Sequence, residues 1–210
     1  GFGITYLAWD ANLSTVVAIK EYCPSALTGR DSHDSTLRTI RKQDDQAYRR
    51  GLDQFVEEAR TLAKFRHPNI IGVRDVFREN NTAYMIMEYH DGETLDAFME
   101  KRGDRLDAGT ALRILRSVLA GLKTVHAEGL LHRDIKPSNI YVTDTERVLL
   151  LDFGAARSVQ HFDGRTHTAL FTPGYSAPEQ ESLNGLLGPC TDIYAVGATL
   201  WRFSLDHFTT

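Results

Sequence analysis

The stretch LLHRDIKPSNIYVTDTERVLLLDFG, residues 130–154, places His-Arg-Asp, a lysine, an asparagine and Asp-Phe-Gly within 25 residues. Asp134 and Asp152 supply carboxylates, and Asn139 supplies an amide oxygen. A small number of hard oxygen ligands suits Mg²⁺, which keeps several waters and takes phosphate oxygens as further ligands. Phosphoryl transfer needs charge stabilisation around the phosphates and a nucleophile held in line. The stretch therefore indicates a site for this chemistry.

The residue types suggest a different role for each of these side chains. Asp134 can accept a proton from an alcohol or orient it. Asp152 can ligate a magnesium ion that bridges phosphate oxygens, and Asn139 can ligate a second ion. Lys136 can neutralise charge on the transferred group.

Composition excludes several other classes of protein. The 210 residues carry a net charge of −4, which gives no basic field for nucleic acid or anionic membrane. No apolar run approaches the ~18 residues of a membrane span, and no signal peptide is visible. Cys23 and Cys190 lie far apart and outside any metal-ligand spacing. We therefore expect a reducing, cytoplasmic compartment, which the cytosolic part of a membrane-anchored protein would share.

Periodicity places strands early in the chain and helices later. Helices are predicted at 52–65, at 106–129 and at 192–203, with a turn and a further helix start at 91–95. The apolar face of the helix at 106–129 is predicted to comprise Leu112, Leu115, Val118, Leu119, Leu122 and Val125. Residues 24–51 are interpreted as an insertion or long connector, and 155–174 as a polar loop. Strands are predicted at 4–10, 15–22, 70–77, 82–89, 140–142 and 147–151.

This partition predicts an α+β protein with two lobes and a cleft between them. Residues 1–88 would form a small strand-rich lobe with one regulatory helix and the insertion. Residues 89–210 would form part of a larger helical lobe.

Four motifs occur in an order that resembles the eukaryotic-type protein serine/threonine kinases, and the bacterial members most of all. They are VAIK at 17–20, HRDIKPSN at 132–139, DFG at 152–154 and SAPE at 176–179. The resemblance implies the two-lobed kinase fold, with 1–210 as one kinase domain. It also implies that the first strand and the last large-lobe helices lie outside this sequence, so the fold would be truncated at both ends.

The resemblance assigns nucleotide contacts to residues of the small lobe. Lys20 would hold the α- and β-phosphates of ATP, with Ala18 beside the nucleotide. Glu58 would pair with Lys20; Glu57 competes for this role, but only Glu58 lies four residues before Leu62. The gatekeeper and hinge, whose backbone groups bind adenine, would be Met87, Glu88 and Tyr89.

The glycine loop over the phosphates would end at Gly3. Counting G-x-G-x-x-G from Gly1 fails, because Tyr6 occupies the third glycine position. With Gly3 as the last glycine, Thr5 takes the place usually held by valine, and Phe2 lies at the tip of the loop. Gly1, Phe2 and Gly3 are therefore expected to approach the phosphates.

The large lobe would supply catalytic and packing residues. Asp134 and Lys136 would be catalytic, and Thr172 would contact both. Lys136 indicates serine or threonine substrates rather than tyrosine. The family's apolar spine would comprise Leu62, Val73, His132 and Phe153, anchored by Asp192.

These assignments predict transfer of the ATP γ-phosphate to protein hydroxyl groups, with broad specificity and with Mg²⁺, or alternatively Mn²⁺, as cofactor. Partners would be protein substrates and a second copy of the chain for autophosphorylation in trans. Nucleic acid and membrane contacts are not expected within this segment. The alternative is an inactive pseudokinase or scaffold module, especially for a truncated fragment.

Arg133 beside Asp134 predicts regulation by a phosphorylated activation loop, because arginine and phosphate form strong charge-assisted hydrogen bonds. We expect Thr168 to be the primary phosphorylation site and Thr166 the second. Mass spectrometry of the active full-length protein checks this, and active protein without phosphate on either threonine would contradict it.

Overall fold

The computed structural model describes residues 3–30, 34–103, 105–153, 157–158, 172–182 and 185–204. The chain forms two compact units. Unit 1 comprises Gly1–Arg66 and Ile71–Tyr89, and unit 2 comprises His67–Ile70 and His90–Thr210. Helices and antiparallel sheets occur together, which confirms the predicted α+β class.

Unit 1 contains a four-stranded antiparallel sheet with the order β1-β2-β6-β5. The four strands predicted for this part of the chain are present, although β5 begins at Val73 rather than at 70, and they form two hairpins whose turns have a physical cause. Asp10 caps the first turn by accepting hydrogen bonds from Asn12 and Leu13. In the second, Asn80 and Asn81 take φ values of 51° and 56°, which asparagine tolerates better than most residues. The strands are β1 (Gly3–Asp10), β2 (Thr15–Tyr22), β5 (Val73–Glu79) and β6 (Thr82–Glu88).

Helix α1 (Asp45–Leu62) packs on this sheet and differs from the prediction at both ends. It begins seven residues before the predicted start at Leu52, so the last part of the predicted connector is helical. Tyr48 extends the buried stripe upstream, and its ring stacks on Tyr22 with centroids 5.5 Å apart. The predicted start at Leu52 rested on residues 24–51, which are polar and show no strong period. Downstream, residues 63–65 form turns rather than helix.

The connector between β2 and α1 belongs to unit 1 and is bonded to the turn between β5 and β6. It contains the short strands β3 (Thr28–Gly29) and β4 (Arg38–Thr39), which pair with each other. Leu37 is buried, and its backbone is held at both groups: its N–H donates to the Asn80 carbonyl at 2.9 Å, and its carbonyl accepts from Asn81 Nδ2 at 2.8 Å. A 3₁₀ turn, Lys42–Asp44, leads into α1.

Unit 2 is built around α3 (Ala108–Ala127), whose N-terminus is capped by Asp107 accepting from the Thr110 N–H at 3.0 Å. The prediction that Leu112 belongs to the core is wrong: 45% of it is exposed, and Ile114 is buried instead. The buried stripe continues through Val118, Leu122 and Val125, as predicted.

Short strands and helices complete unit 2. The predicted turn and helix start at 91–95 is partly wrong, because β7 (Gly92–Thr94) pairs with β9 before α2 begins. A two-residue strand, β11, also lies inside the predicted polar loop. The remaining elements are α2 (Leu95–Glu100), β8 (Leu130–Leu131), β9 (Ile140–Thr143), β10 (Val148–Leu150), β11 (Arg157–Ser158), α4 (Pro178–Glu181) and α5 (Pro189–Ser204).

Two helix-interior glycines should respond to alanine in opposite directions. At Gly51 a Cβ atom would lie 2.0 Å from Tyr22 Oη, and that ring is held between Tyr48 and Phe55. At Gly197 no heavy atom lies within 4 Å of the added Cβ.

We expect Gly51→Ala to destabilise the protein by about 1–3 kcal/mol through overpacking. Gly197→Ala should stabilise it by up to ~1 kcal/mol through helix propensity. Urea unfolding measures both, and equal effects of the two substitutions would contradict the packing of α1 on Tyr22.

Candidate active site

Asp192 fixes the backbone that precedes the predicted catalytic aspartate. Its buried carboxylate accepts hydrogen bonds from the N–H groups of His132 at 2.9 Å and Arg133 at 2.7 Å. His126 Nε2 lies 2.6 Å from Asp192 Oδ2. Burial alone would raise the pKa of Asp192, but the hydrogen bonds from His126, Arg133 and His132 outweigh it and hold the pKa below the usual 3.8. An ionised carboxylate at the start of α5 therefore anchors this loop.

The loop bends sharply at Arg133, which has φ of +67°. This region is unfavourable for a residue with a long side chain. Two bonds on the same residue stabilise it: Asp192 accepts from its N–H, and its carbonyl accepts from Gln180 Nε2 at 2.9 Å. The bend carries the chain from the buried His132 to Asp134.

Three side chains converge on the Asp134 carboxylate. Lys136 Nζ and Asn139 Nδ2 each lie 2.8 Å from Asp134 Oδ2. Thr172 Oγ1 donates to Asp134 Oδ1 at 2.9 Å, and Lys136 Nζ lies 3.4 Å from the same hydroxyl. The structure thus brings together four of the residues singled out in the sequence, although Thr172 lies 38 residues from Asp134.

Asn139 links this cluster to the segment that carries Asp152. Its Nδ2 also donates to the Asp134 carbonyl at 2.8 Å, so the amide oxygen points away from Asp134. The Asn139 carbonyl accepts from the Leu151 N–H at 2.9 Å, and Asp152 follows with φ of +56°. The Asn139 amide and the Asp152 carboxylate offer the hard oxygen donors that Mg²⁺ prefers.

Among the described residues, no group of three or more His, Cys, Asp or Glu side chains is arranged to hold a metal ion. Magnesium is usually bound by one or two carboxylates plus substrate phosphates, and Asp152 and Asn139 offer oxygen donors of this kind. The donor set is therefore compatible with a nucleotide-bound magnesium ion.

His132 is a packing residue in this structure. It is fully buried, its ring centroid lies 4.5 Å from that of Phe153, and its Nε2 lies 3.0 Å from the Leu151 carbonyl oxygen. Burial lowers the pKa of His132, and the charges of Asp192, Asp134 and Asp152 offset this only in part. Of the other predicted spine residues, Leu62 is buried and Val73 is half-buried, both within unit 1.

Unit 1 places its predicted site residues on one face of the sheet. Lys20 lies opposite Thr5 and Met85, and Ala18 lies opposite Leu7 and Met87. Tyr22 shares this face, and its contact with Phe55 shows that α1 packs there.

The two candidate glutamates of α1 have different surroundings. Glu58 is half-buried and lies three residues from the buried Phe55 and four from the buried Leu62. Glu57 is exposed, and its carboxylate lies 2.5 Å from Arg60 on the helix surface. The surroundings of Glu58 suit a partner of Lys20 better.

At the end of β6, Met87, Glu88 and Tyr89 are half-buried, and the Glu88 N–H donates to the Gly72 carbonyl at 2.9 Å. Gly3 opens β1, where a Cβ would lie 2.5 Å from the Glu21 carbonyl oxygen. Gly1, Phe2, Thr166 and Thr168 lie outside the described residues.

Sequence reasoning missed His126 and Gln180. His126 lies six residues before His132 on α3, and its role depends on the packing of α5 against α3. Gln180 binds both the Arg133 carbonyl and the Ala177 N–H. His126 contacts the Asp192 carboxylate and Gln180 contacts the Arg133 carbonyl, 66 and 47 residues away in sequence, so no local pattern indicates either contact.

Comparison with known proteins agrees with the fold and with the cluster of side chains around Asp134. The antiparallel sheet, the helical unit and the aspartate-lysine-asparagine cluster define the class of protein kinases. The family described as protein kinase domain matches residues 1–208, so the chain belongs to that family.

Several relatives are named as serine/threonine kinases. PknA of Mycobacterium tuberculosis is 38% identical over 70% of this chain and 35% of its own length. A probable serine/threonine-protein kinase PknB of Lactococcus lactis is 32% identical over 79% of this chain and 26% of its own length. The chain thus spans about a third of the mycobacterial relative and a quarter of the lactococcal one. A solved structure, PpkA-294 in its apo form, has a TM-score of 0.85 and 35% identity, covering 97% of this chain and 71% of that chain.

In the described part of the chain, we find no helix with both the length and the apolar character that a bilayer crossing requires.

The buried neutral His132 predicts a pH-dependent stability. Its folded pKa is lowered from 6.5, so below that pH the unfolded chain binds a proton that the folded chain resists. The free energy of unfolding should therefore fall as the pH drops from 7 to 5. His132 contributes at most about 1.4 kcal/mol of this fall per pH unit. Asp192 adds no pH dependence of stability between pH 7 and 5. Its folded pKa is lowered from 3.8, so the stability that its carboxylate contributes is lost only at lower pH.

Urea unfolding of the wild-type protein and His132→Phe at pH 7.0, 6.0 and 5.5 checks this. The phenylalanine variant should show the shallower dependence on pH. An unchanged slope would show that His132 takes up a proton as readily when folded as when unfolded.

Proposed function

We propose that this chain is the catalytic domain of a protein serine/threonine kinase. The observation that carries the proposal is the Asp134 carboxylate, which is contacted by Lys136, Asn139 and Thr172. A carboxylate fixed in this way can orient a substrate hydroxyl and accept its proton. Membership of the kinase family and the named activity of the relatives support the same conclusion.

The proposed reaction has few covalent parts. A serine or threonine oxygen forms a bond to the γ-phosphorus of ATP, the bond to the β,γ-bridging oxygen breaks, and ADP leaves. The hydroxyl proton passes towards Asp134. Lys136, 2.8 Å from Asp134, is placed to stabilise negative charge on the transferred group.

Magnesium ions, when bound with ATP, would neutralise the developing charge on the phosphates. We propose Asp152 and Asn139 as their protein ligands, since both offer oxygen donors and their segments are joined by the bond between Leu151 and Asn139. Mn²⁺ accepts the same donors.

Unit 1 would contribute nucleotide contacts. We propose that Lys20 binds the α- and β-phosphates and that Glu58 orients it. Ala18 would lie against the adenine, and the backbone of Met87, Glu88 and Tyr89 would hydrogen-bond with its edge. The glycine segment 1–3 would lie over the phosphates.

Substrates and regulation follow from the same residues. We propose protein hydroxyls as acceptors, with Lys136 and its contact to Thr172 favouring serine and threonine. Arg133 would bind a phosphorylated activation loop after modification at Thr168 or Thr166, which a second copy of the chain would carry out in trans. Both cysteines are free thiols, which fits action in the reducing cytoplasm.

Replacing the proposed metal ligand tests this function. In full-length protein, Asp152→Asn should reduce phosphate transfer to a generic protein substrate by at least about 100-fold, because charge stabilisation in the transition state is lost. Asp144→Asn, an exposed aspartate of unit 2, is the matched control and should keep wild-type transfer. Labelled ATP with Mg²⁺ and protein substrates provides the measurement.

The outcomes separate the candidate functions. Transfer to protein by the wild type that disappears in Asp152→Asn supports a kinase with Asp152 as a ligand. Nucleotide binding without transfer by the wild type indicates a pseudokinase or scaffold. Full activity of Asp152→Asn would exclude Asp152 from the metal site.

A further inference from the structure

Glu21 is a buried carboxylate on the face of the sheet opposite Lys20. It follows Lys20 in β2, and the side chain is only 1% exposed. Val17 is a buried residue on the same face. An apolar side chain at position 21 would satisfy packing at lower cost, since a buried charge is costly unless it is paired and hydrogen-bonded.

Tyr84 lies opposite Glu21 on β6, and two residues from other segments also contact the Glu21 carboxylate. Tyr6 Oη of β1 donates to Glu21 Oε2 at 2.8 Å. The Arg30 guanidinium, which belongs to the connector, forms an ion pair with Glu21 Oε1. Arg30 is 30% exposed at its side chain, so the pair lies at the border between the sheet and solvent. The carboxylate thus joins β1, β2 and the connector at one point.

Strand pairing holds β1 on one side only. It is the edge strand of the sheet, and its register with β2 runs from Gly3 opposite Tyr22 to Asp10 opposite Thr15. Most of its residues are exposed, including Leu7 at 66% and Trp9 at 63%. A side-chain link between Tyr6 and Glu21 therefore adds substantially to the attachment of this strand.

The connector can act as a fixed anchor for Arg30. Besides the two Leu37 bonds to the β5–β6 turn, the Ile40 N–H donates to the Leu27 carbonyl at 2.9 Å, which closes the connector on itself. The Thr28 hydroxyl donates to the Pro24 carbonyl at 3.0 Å. Arg30 therefore projects from a connector that is bonded to itself through Ile40 and Leu27 and to the β5–β6 turn through Leu37.

We propose that Arg30, Glu21 and Tyr6 are positioning residues, through which the connector fixes the β1–β2 ladder and so sets the affinity for ATP. The inference rests on the proposed kinase function, because it takes Lys20 and the segment at Gly3 as the phosphate contacts. None of the three residues needs to touch the nucleotide. They act by holding the strands that carry the proposed phosphate-binding groups.

The experiment uses full-length protein with Arg30→Gln and Tyr6→Phe. Tyr6→Phe removes one hydroxyl and keeps the ring, so it tests the hydrogen bond with little change in packing. Each substitution should raise the Kd and KM for ATP by roughly 2- to 10-fold, the range expected for one hydrogen bond. KM for the protein substrate should change much less. Arg30→Lys, which keeps the charge, should restore part of the affinity.

Arg38→Gln is the matched control. Arg38 lies in the same connector and pairs with Asp34 at 3.0 Å, but its side chain is 67% exposed and does not contact Glu21. It should leave the affinity for ATP at the wild-type value. Thermal unfolding of each variant is measured alongside.

A purely structural role predicts a different result. Lower unfolding temperatures for Arg30→Gln and Tyr6→Phe with an unchanged Kd for ATP would overturn the proposal. An equal effect of Arg38→Gln would overturn it as well. If the wild type binds ATP but transfers no phosphate, the kinase function fails while the Kd comparison still decides the positioning role. If the wild type does not bind ATP, both fail.

Discussion

The carboxylate of Asp192 is the constraint on which the candidate active site depends. It is buried at the start of α5, yet it stays ionised because backbone N–H groups and His126 satisfy it. Those bonds hold Arg133 in a left-handed conformation that the residue would otherwise avoid. Asp134 leaves this bend at a defined position, so the geometry of the candidate active site depends on a side chain nearly sixty residues further along the chain.

A second buried carboxylate has a comparable place in unit 1. Glu21 joins an edge strand, a central strand and the connector, much as Asp192 joins a helix to a loop. Both residues are charged groups in positions where packing alone would favour an apolar side chain. Such groups add specificity to a fold only when every partner is present, because an unsatisfied buried charge destabilises strongly.

Prediction worked where the signal was local and periodic. The four strands of the unit 1 sheet were predicted from the sequence, and α3 was predicted from its apolar stripe. The prediction failed where the structure depends on contacts between residues that are distant in sequence. The start of α1 was missed because residues 24–51 are polar and show no strong period, and β7 was missed because it forms by pairing with the distant β9. Leu112 was misplaced because it points away from the stripe of α3 that is buried, which comprises Ile114, Val118, Leu122 and Val125.

The amino-acid sequence by itself determined which chemical groups the protein can bring to a site. The motifs around Lys20, Asp134 and Asp152 indicate the family, because protein kinases carry these residue types in this order. Only the tertiary structure decided which groups meet. Thr172 and Asn139 reach Asp134, Asp192 holds Arg133, and Arg30 reaches Glu21 because chain folding brings these segments together. Spacing along a chain cannot specify such contacts, because they depend on how helices and strands pack.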